Sequence, residues 1–255
     1  VSIKEGASLR SVSLQLKNED VIRSRVIFEV FVMMYGGEKR LIPTDYLFER
    51  KLPVFEVARR ISKGEHHLAP IKVTIPEGFN SAEIVESFIP KLPKFNSNNF
   101  LAKAREGYLF PDTYFFFSVD DEQDVLKSMY SNFEKKVSTI RSQIVASGKS
   151  ENDIIIMASI IEREAKGDAD RDFISGILWK RMEIGMPLQA DAAPVTYDKK
   201  GLPDAPIGNP GLEAINAAIY PKKSSYLYYI HDKDGNIHYA KSFEEHKINI
   251  NKYLK

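Results

Sequence analysis

The stretch Asp153-Ile-Ile-Ile-Met-Ala-Ser-Ile-Ile-Glu-Arg-Glu-Ala165 combines a long apolar run with two carboxylates at its end. At about 100° per residue, its apolar side chains cover nearly the whole circumference of an α-helix, which indicates a helix buried on most sides. Ser150 lies three residues before Asp153, a spacing typical of a helix start, and Gly167 is the predicted stop. We therefore predict that this helix forms the centre of the fold.

The two carboxylates at the end of this helix are candidate catalytic groups. Glu162 shares a face with the small side chains of Ala158 and Ser159, which leave room beside it. A carboxyl in apolar surroundings holds its proton more tightly, so it can act as a general acid near neutral pH. The alternative is that Glu162 or Glu164 pairs with a Lys or Arg, because structural ion pairs are common in proteins. Helix geometry permits either glutamate as the acid.

The bulk composition excludes several classes of protein. With 255 residues, of which 43% are hydrophobic, the chain is long enough for one large domain or two smaller ones. The chain has 36 Lys and Arg residues and 35 Asp and Glu residues, so its charges nearly balance. A protein that binds nucleic acid by neutralising many phosphates has an excess of basic residues, so we predict no nucleic-acid partner. The absence of cysteine excludes disulfides, thiolate metal sites and cysteine nucleophiles.

Metal binding and membrane insertion are not predicted either. The five histidines, His66, His67, His231, His238 and His246, lack the spacing of a metal site, so we expect neither a catalytic metal nor another cofactor. No stretch of the sequence reaches the roughly 20 apolar residues of a membrane-spanning helix. Because the sequence begins with Val rather than Met, we expect that an N-terminal signal or anchor can precede it.

An internal repeat organises the first half of the chain. Val1-Ser-Ile-Lys-Glu-Gly6 recurs as Val73-Thr-Ile-Pro-Glu-Gly78, and Leu41-Ile-Pro-Thr-Asp-Tyr46 recurs as Leu109-Phe-Pro-Asp-Thr-Tyr114. In both copies a short alternating segment runs into an amphipathic helical pattern. We predict two related β-helix-helix-β units in tandem, with a boundary in the loop 64–70.

The other elements predicted from periodicity and end signals are mostly helical. Helices are expected at Pro53–Ser62, Asp120–Ser147, Asp170–Ile184 and Leu212–Ile219, the last of them capped by Asn209. A β-hairpin is expected at Tyr226–Ala240, with its turn at Asp234-Gly235. For residues 26–35 the apolar, β-branched sequence favours helix and strand about equally.

Two segments are typical of a glycan-binding site. Glu106-Gly-Tyr-Leu-Phe-Pro-Asp-Thr-Tyr-Phe-Phe-Phe117 places aromatic rings, which stack on sugar rings, beside groups that bind sugar hydroxyls. The alternative for this segment is a core strand with a Pro-Asp turn, which the segment taken alone favours. The Gly- and Pro-rich run 201–211 is too rigid for a linker and is typical of a loop that frames a site.

Six stretches in order resemble the YceG-like family of endolytic murein transglycosylases, enzymes that cut the glycan strands of bacterial peptidoglycan. They are residues 73–78, 106–114, 158–164, 178–191, 201–211 and 226–246. The resemblance implies a LysM-like glycan-binding domain at residues 1–70 and a catalytic domain at 71–255. The implied fold class is α+β: a small βααβ N-terminal domain, then a larger mixed α+β domain around the buried central helix.

The resemblance also implies Glu162, rather than Glu164, as the catalytic acid. A lytic transglycosylase breaks the MurNAc–GlcNAc bond without water, because the C6 hydroxyl of the substrate closes on C1 and leaves a 1,6-anhydro end. One carboxyl can then act first as acid and afterwards as base, unlike the two carboxylates of most glycosidases. Our candidates for holding the sugar are Gln189, Glu106, Tyr114 and Asn209. For Gln189 and Asn209, a loop-capping role is the alternative.

One junction departs from the family pattern. Family members separate two of these motifs by a few tens of residues. Here the two motifs are joined almost directly, in the segment Asp191-Ala-Ala-Pro-Val-Thr-Tyr197. Either this member has lost a loop, or a mobile segment is missing from the sequence. The departure leaves any role for Asp191 open, but it does not affect Glu162.

The resemblance further implies peptidoglycan glycan strands as substrate and peptidoglycan synthases as partners. It implies an enzyme tethered by one N-terminal membrane helix at the extracytoplasmic face of the bacterial cytoplasmic membrane. Two other functions remain open from the sequence. One is a non-catalytic peptidoglycan-binding or scaffolding protein, and the other is a hydrolase that leaves reducing ends.

Overall fold

The computed structural model describes residues 1–37, 41–48, 51–65, 69–165, 167 and 170–254. The chain divides into two compact units. The first comprises Val1–Ile71, Leu92–Lys94 and Phe115–Asp120, and the second comprises Lys72–Lys91, Phe95–Tyr114 and Asp121–Lys255. His66, His67 and part of the predicted boundary loop lie outside the described residues. The assignment of residues 1–70 as a LysM-like domain stays a prediction, as does the catalytic domain at 71–255.

In the described part of the first unit the helices are α1 (Leu9–Asn18), α2 (Arg25–Met34) and α3 (Val54–Lys63). Sequence alone did not decide between helix and strand for α2. The segment is helical because Phe28 and Val32, one turn apart, are both fully buried in the core of this unit. The side chain of Ser24 also caps the start of the helix by accepting a hydrogen bond from the Ile27 amide.

Most residues of the remaining elements belong to the second unit. In chain order these are β1 (Ile71–Thr74), α4 (Ser81–Phe88), α5 (Ser97–Lys103), β2 (Thr113–Phe116), α6 (Glu122–Ser138), α7 (Arg141–Ala146), α8 (Glu151–Glu164), α9 (Arg171–Glu183), α10 (Val195–Asp198), α11 (Leu212–Ile219), β3 (Tyr228–His231), β4 (Ile237–Ala240) and α12 (Phe243–Tyr253). Strand β1 pairs with β2, and β3 pairs with β4 as the predicted antiparallel hairpin. The fold is therefore of the predicted mixed α+β class.

Helix α8 is the buried central helix that the sequence predicts. Every residue from Ile154 to Ile161 is buried, and α8 packs against α9 and α11. The Ser150 hydroxyl accepts a hydrogen bond from the Asp153 amide at 3.0 Å, as expected for the cap. The helix ends at Glu164, before the predicted stop at Gly167, because Ala165 already adopts an extended backbone conformation.

The backbone confirms the predicted repeat. In the first copy the Ile3 amide donates to the Thr44 carbonyl at 3.0 Å, and in the second copy the Ile75 amide donates to the Asp112 carbonyl at 2.9 Å. Two helices connect the paired segments in each copy, α1 and α2 in the first and α4 and α5 in the second. Each copy is thus a strand-like segment, two helices and a returning strand-like segment.

Equivalent tyrosines anchor the two copies in the same way. The Tyr46 hydroxyl donates to the Ile42 carbonyl at 3.0 Å, and the Tyr114 hydroxyl donates to the Phe110 carbonyl at 2.5 Å, each four residues earlier. Asn132 adds a second contact to the Tyr114 hydroxyl at 3.2 Å. Burial raises the pKa of both tyrosines to about 12. Tyr114 therefore has a structural function that its repeat partner shares.

Two details of the predicted elements are wrong. The single helix expected at Asp120–Ser147 is two helices, α6 and α7, which are interrupted where the Thr139 hydroxyl donates to the Lys136 carbonyl at 2.7 Å. The predicted capping of α11 by Asn209 is also absent. Gly211 occupies the cap position of that helix and no side chain caps it, because the Asn209 amide bonds elsewhere.

Trp179 belongs to the core, since the residue is 7% exposed and its Nε1 donates to the Ala218 carbonyl at 3.0 Å. Among the helices in the described part of the chain, none combines the length and the apolar composition that crossing a membrane requires.

Replacing Tyr46 with Phe tests the anchoring function of the repeat tyrosines. The single hydroxyl proton is shared between two carbonyls, those of Ile42 at 3.0 Å and Ile61 at 3.1 Å, so its removal takes a donor from the buried Ile61 carbonyl. We expect the free energy of unfolding, measured with urea, to fall by about 1–2 kcal/mol. Tyr35→Phe, in an exposed ring, is the control and should change it little. Equal stability of the two variants would contradict the assignment.

Candidate active site

Glu162 lies near the C-terminal end of α8, and its side chain is only 4% exposed. Its Oε1 accepts a hydrogen bond from Nη2 of Arg171 at 2.9 Å, and its Oε2 accepts one from the Gly211 amide at 2.9 Å. The expectation of purely apolar surroundings is wrong, because the desolvated carboxylate has a cationic partner. Pairing with an Arg, the alternative left open by the sequence, is what the structure contains.

Arg171 also lies beside a second carboxylate. The Nη2 atom that contacts Glu162 is 4.0 Å from Oε2 of Glu77. The Arg171 side chain is 13% exposed and that of Glu77 is 47% exposed, so the guanidinium lies between a buried and a half-exposed acid. A Cβ atom added to Gly211 would overlap the Glu77 carboxylate. Gly211 therefore contacts both acids. Its amide donates to Glu162, and its Cα, which has no side chain, lies against the Glu77 carboxylate.

Asn209 is fully buried, and every polar group of its side chain is used. Its Nδ2 donates to the Phe79 carbonyl at 2.9 Å and to Oε1 of Glu106 at 2.6 Å, and its Oδ1 accepts from the Leu109 amide at 2.9 Å. The other oxygen of Glu106 accepts from the Ser81 amide at the start of α4, at 2.9 Å. Asn209 and Glu106 together join three separate segments of the chain, so both have structural partners.

Glu164 faces a different side of α8, about 200° further around the helix than Glu162. Its Oε1 accepts from the Ala192 amide and its Oε2 from the Tyr229 hydroxyl, each at 2.9 Å. Burial, together with the neighbouring Glu164 carboxylate, raises the pKa of Tyr229 well above its ordinary value. Glu164 thus ties the loop after α9 and strand β3 to the end of the central helix.

The Glu164 side of the helix borders a cavity of about 690 Å³. Its lining includes aromatic and polar side chains, among them Gln189, Asp191, Tyr197, Tyr228, Phe243 and His246. The rings of Tyr228 and His246 stack with centroids 5.2 Å apart, and burial lowers the pKa of His246, which favours the neutral ring. Gln189 is exposed in this cavity with a φ of 49°, a left-handed conformation that costs energy in a residue other than glycine.

The structure does not bring the five predicted site residues into one cluster. Glu106 and Asn209 contact each other. Glu162 lies close to them, because it accepts a hydrogen bond from the Gly211 amide in the same loop as Asn209. Gln189 lines the cavity on the other side of α8, and Tyr114 is buried at the end of the repeat. The contacts of these residues with sugar stay predictions.

Sequence reasoning missed three residues of the Glu162 environment: Arg171, Glu77 and Gly211. Glu77 lies in the repeated Glu-Gly motif and Gly211 in the rigid loop, so both segments were noticed but not these residues. Arg171 opens helix α9 seven residues after Glu164, and its distance from Glu162 depends on how α8 and α9 pack together. Within the described ranges, no group of three His, Asp or Glu side chains is placed to hold a metal ion.

Replacing Asn209 with Ala tests its function as the connection between the three segments. The change removes the partner of the Leu109 amide and of Oε1 of Glu106, so we expect the free energy of unfolding to fall by about 2–4 kcal/mol. Asn98→Ala, on the exposed face of α5, is the control and should change stability by less than about 0.5 kcal/mol. A similar small change at Asn209 in urea unfolding would show that the connection is dispensable.

Comparison with known proteins gives consistent matches along the whole chain. The YceG-like family matches residues 1–194 and 195–252. An endolytic murein transglycosylase of Bacillus subtilis (strain 168) is 27% identical over 307 aligned positions, which cover 100% of this chain and 84% of the relative. An endolytic murein transglycosylase of Streptococcus pneumoniae serotype 2 (strain D39 / NCTC 7466) is 23% identical, and the match covers all of this chain but 58% of that relative.

A solved structure is also similar. The crystal structure of a YceG-like protein from Listeria monocytogenes superimposes with a TM-score of 0.58 at 27% sequence identity, over 97% of each chain. The family match is divided between residues 194 and 195, inside the junction 191–197 where the sequence departs from the family pattern. In the structure this junction is closed by the Tyr197 hydroxyl, which donates to the Asp191 carboxylate and whose pKa is raised to about 12 by that bond.

Proposed function

The chain belongs to the YceG-like family, and on this basis we propose that it cleaves the MurNAc–GlcNAc bond within peptidoglycan glycan strands. It is a peptidoglycan lytic transglycosylase, an enzyme of the kind named in its relatives from Bacillus and Streptococcus. The new chain ends are 1,6-anhydroMurNAc. The catalytic group in this proposal is Glu162.

The position of Glu162 is the observation that carries the proposal. Its carboxylate is buried where three of the family-like stretches meet: the end of α8, the loop of Gly78 and the loop of Gly211. A backbone amide and a guanidinium donate to its two oxygens and hold the side chain in one orientation. Glu164 has neither a charged partner within ion-pair distance among the described residues nor a contact with these loops.

The reaction needs one carboxyl and no water molecule. Glu162 in its protonated form gives its proton to the bridging oxygen while the bond between C1 and that oxygen breaks, and the bonding electrons stay on the oxygen. The C6 hydroxyl of MurNAc then bonds to C1, and the Glu162 carboxylate accepts the hydroxyl proton. Glu162 therefore ends the cycle in the state in which it began. Positive charge at C1 is stabilised in between by the substrate N-acetyl group or by polar groups of the protein.

Gln189 and the aromatic wall of the cavity supply contacts with the glycan strand. A strand that runs across the end of α8 meets Glu162 on one side and the cavity on the other. The Gln189 amide, which is exposed in this cavity, can bind sugar hydroxyls. In this proposal Asn209 and Glu106 hold the loops around Glu162, while Tyr114 anchors the second repeat copy.

The cellular setting is proposed from the family as well. The substrate lies in the bacterial cell wall, so the enzyme works outside the cytoplasmic membrane. Tethering by an N-terminal membrane helix and association with peptidoglycan synthases follow from the same resemblance and are part of the proposal.

Replacing Glu162 with Gln should abolish cleavage, and thermal unfolding of the variant checks that the fold is kept. The amide keeps the size of the side chain but cannot donate and recover the proton, so we expect a loss of at least about 10²–10⁴-fold in the rate of release of anhydro-ended fragments from purified sacculi. Mass spectrometry of the fragments identifies the product, because a hydrolase would add one water. Glu164→Gln is the matched control, two residues away on the same helix, and should keep most of the activity.

The opposite result, with an active Glu162→Gln and an inactive Glu164→Gln, would move the acid to the cavity side of α8. If wild-type protein binds sacculi but releases no fragments, the protein is a binding or scaffolding component and the proposal is wrong.

Replacing Gln189 with Gly separates substrate binding from folding. Glycine adopts the observed φ of 49° without strain, so we expect the free energy of unfolding to stay the same or rise by up to about 1 kcal/mol. The loss of the amide should raise KM for glycan strands with little change in kcat. The Gln189→Asn variant keeps an amide and tolerates this conformation, so its KM should lie between those of Gln189→Gly and the wild type. An unchanged KM in Gln189→Gly would remove Gln189 from the binding site.

A further inference from the structure

Arg171 occupies the space beside Oε1 of Glu162 that the glycosidic oxygen needs in the proposed reaction. Both oxygens of Glu162 already have donors, and the side chain is 4% exposed, so a glycosidic oxygen cannot approach Oε1 while Nη2 of Arg171 is 2.9 Å away. The donor on Oε2 is the Gly211 amide, which the loop fixes in place. The guanidinium on its long side chain is therefore the group that can move.

Moving a buried guanidinium away from its carboxylate is costly unless another acid accepts it. Glu77 is in the right place to do so, because its Oε2 is 4.0 Å from the same Nη2 atom. The Glu77 side chain is 47% exposed, so it has room to adjust toward the guanidinium. A short displacement of Arg171 toward solvent would exchange one ion pair for the other.

Gly211 provides an independent observation for the position of Glu77. Its φ is −77°, a value open to every residue, so backbone conformation does not require glycine here. The reason for glycine is space, since a Cβ atom would overlap the Glu77 carboxylate. The loop is therefore shaped to let the Glu77 carboxylate approach the same residue whose amide holds Glu162.

We propose that Glu77 is a positioning residue of the transglycosylase reaction, the partner that receives Arg171 when a glycan strand binds. This inference rests on Glu162 being the catalytic acid. With Arg171 on Glu77, Oε1 of Glu162 is free to carry the proton and to reach the bridging oxygen. The pairing with Glu77 keeps the guanidinium charge compensated beside the site, and return of Arg171 to Glu162 closes the site after product release.

A double-mutant cycle on Glu77 and Arg171 tests this exchange. Glu77→Gln removes the receiving charge and leaves Arg171 on Glu162, so we expect kcat on isolated glycan strands to fall about 10–100-fold with little change in KM. Adding Arg171→Gln to that variant removes the closing group, so we expect most of the lost kcat to return. A residue that merely supports the fold would not be rescued by a second substitution.

Gly211→Ala supplies a second route to the same result. The added methyl group displaces the Glu77 carboxylate but leaves all charges in the chain, so kcat should fall and Arg171→Gln should again restore it. Thermal unfolding of each variant checks that the fold is kept. Glu134→Gln, which breaks the exposed ion pair with Arg141, is the control and should have wild-type kcat.

The outcomes separate this inference from the proposed function. If Glu162→Gln is active, the proposed acid is wrong and the inference falls with it. If Glu162→Gln is inactive but Glu77→Gln keeps full kcat, or if Arg171→Gln fails to rescue either variant, only the exchange of Arg171 is wrong.

Discussion

The buried carboxylate of Glu162, held between the Arg171 guanidinium and the Gly211 amide, is the interaction on which the rest of the site depends. A carboxylate with 4% exposure has lost its water, and the two donors replace the hydrogen bonds that water gave it. The central helix can carry an acid at this depth only because these donors reach it. In the proposed reaction one of these donors must be withdrawn, and a side chain is more easily withdrawn than a backbone amide.

The loops that surround Glu162 are held by a polar network around the fully buried Asn209. Asn209 exchanges backbone hydrogen bonds with the loop of Gly78 and Phe79, and its side chain adds Glu106 and the Leu109 amide. Such a network is rigid when every member is satisfied and costly when one is removed. Residues that look like sugar ligands in the sequence are thus used to fix the backbone, and this keeps the Gly211 amide on Glu162.

The sequence predicted those features that depend on local patterns. The buried α8, the hairpin of β3 and β4 and the internal repeat follow from periodicity, turn residues and self-similarity, and the structure confirms them. The partners of Glu162 could not be predicted in this way, because Arg171 and Gly211 lie outside α8 and their distance from Glu162 depends on tertiary packing. The break between α6 and α7 was missed for a related reason. The apolar pattern predicted one helix across the interruption, where the hydroxyls of Ser138 and Thr139 donate to carbonyls three residues earlier.

The most direct test is a crystal structure of the Glu162→Gln variant with a bound glycan strand. The account predicts that the bridging oxygen of a MurNAc–GlcNAc bond lies within about 3 Å of the side chain of residue 162, with the Arg171 guanidinium paired to Glu77. A strand whose bridging oxygen contacts Glu164 from the cavity, with Arg171 still covering residue 162, would contradict it.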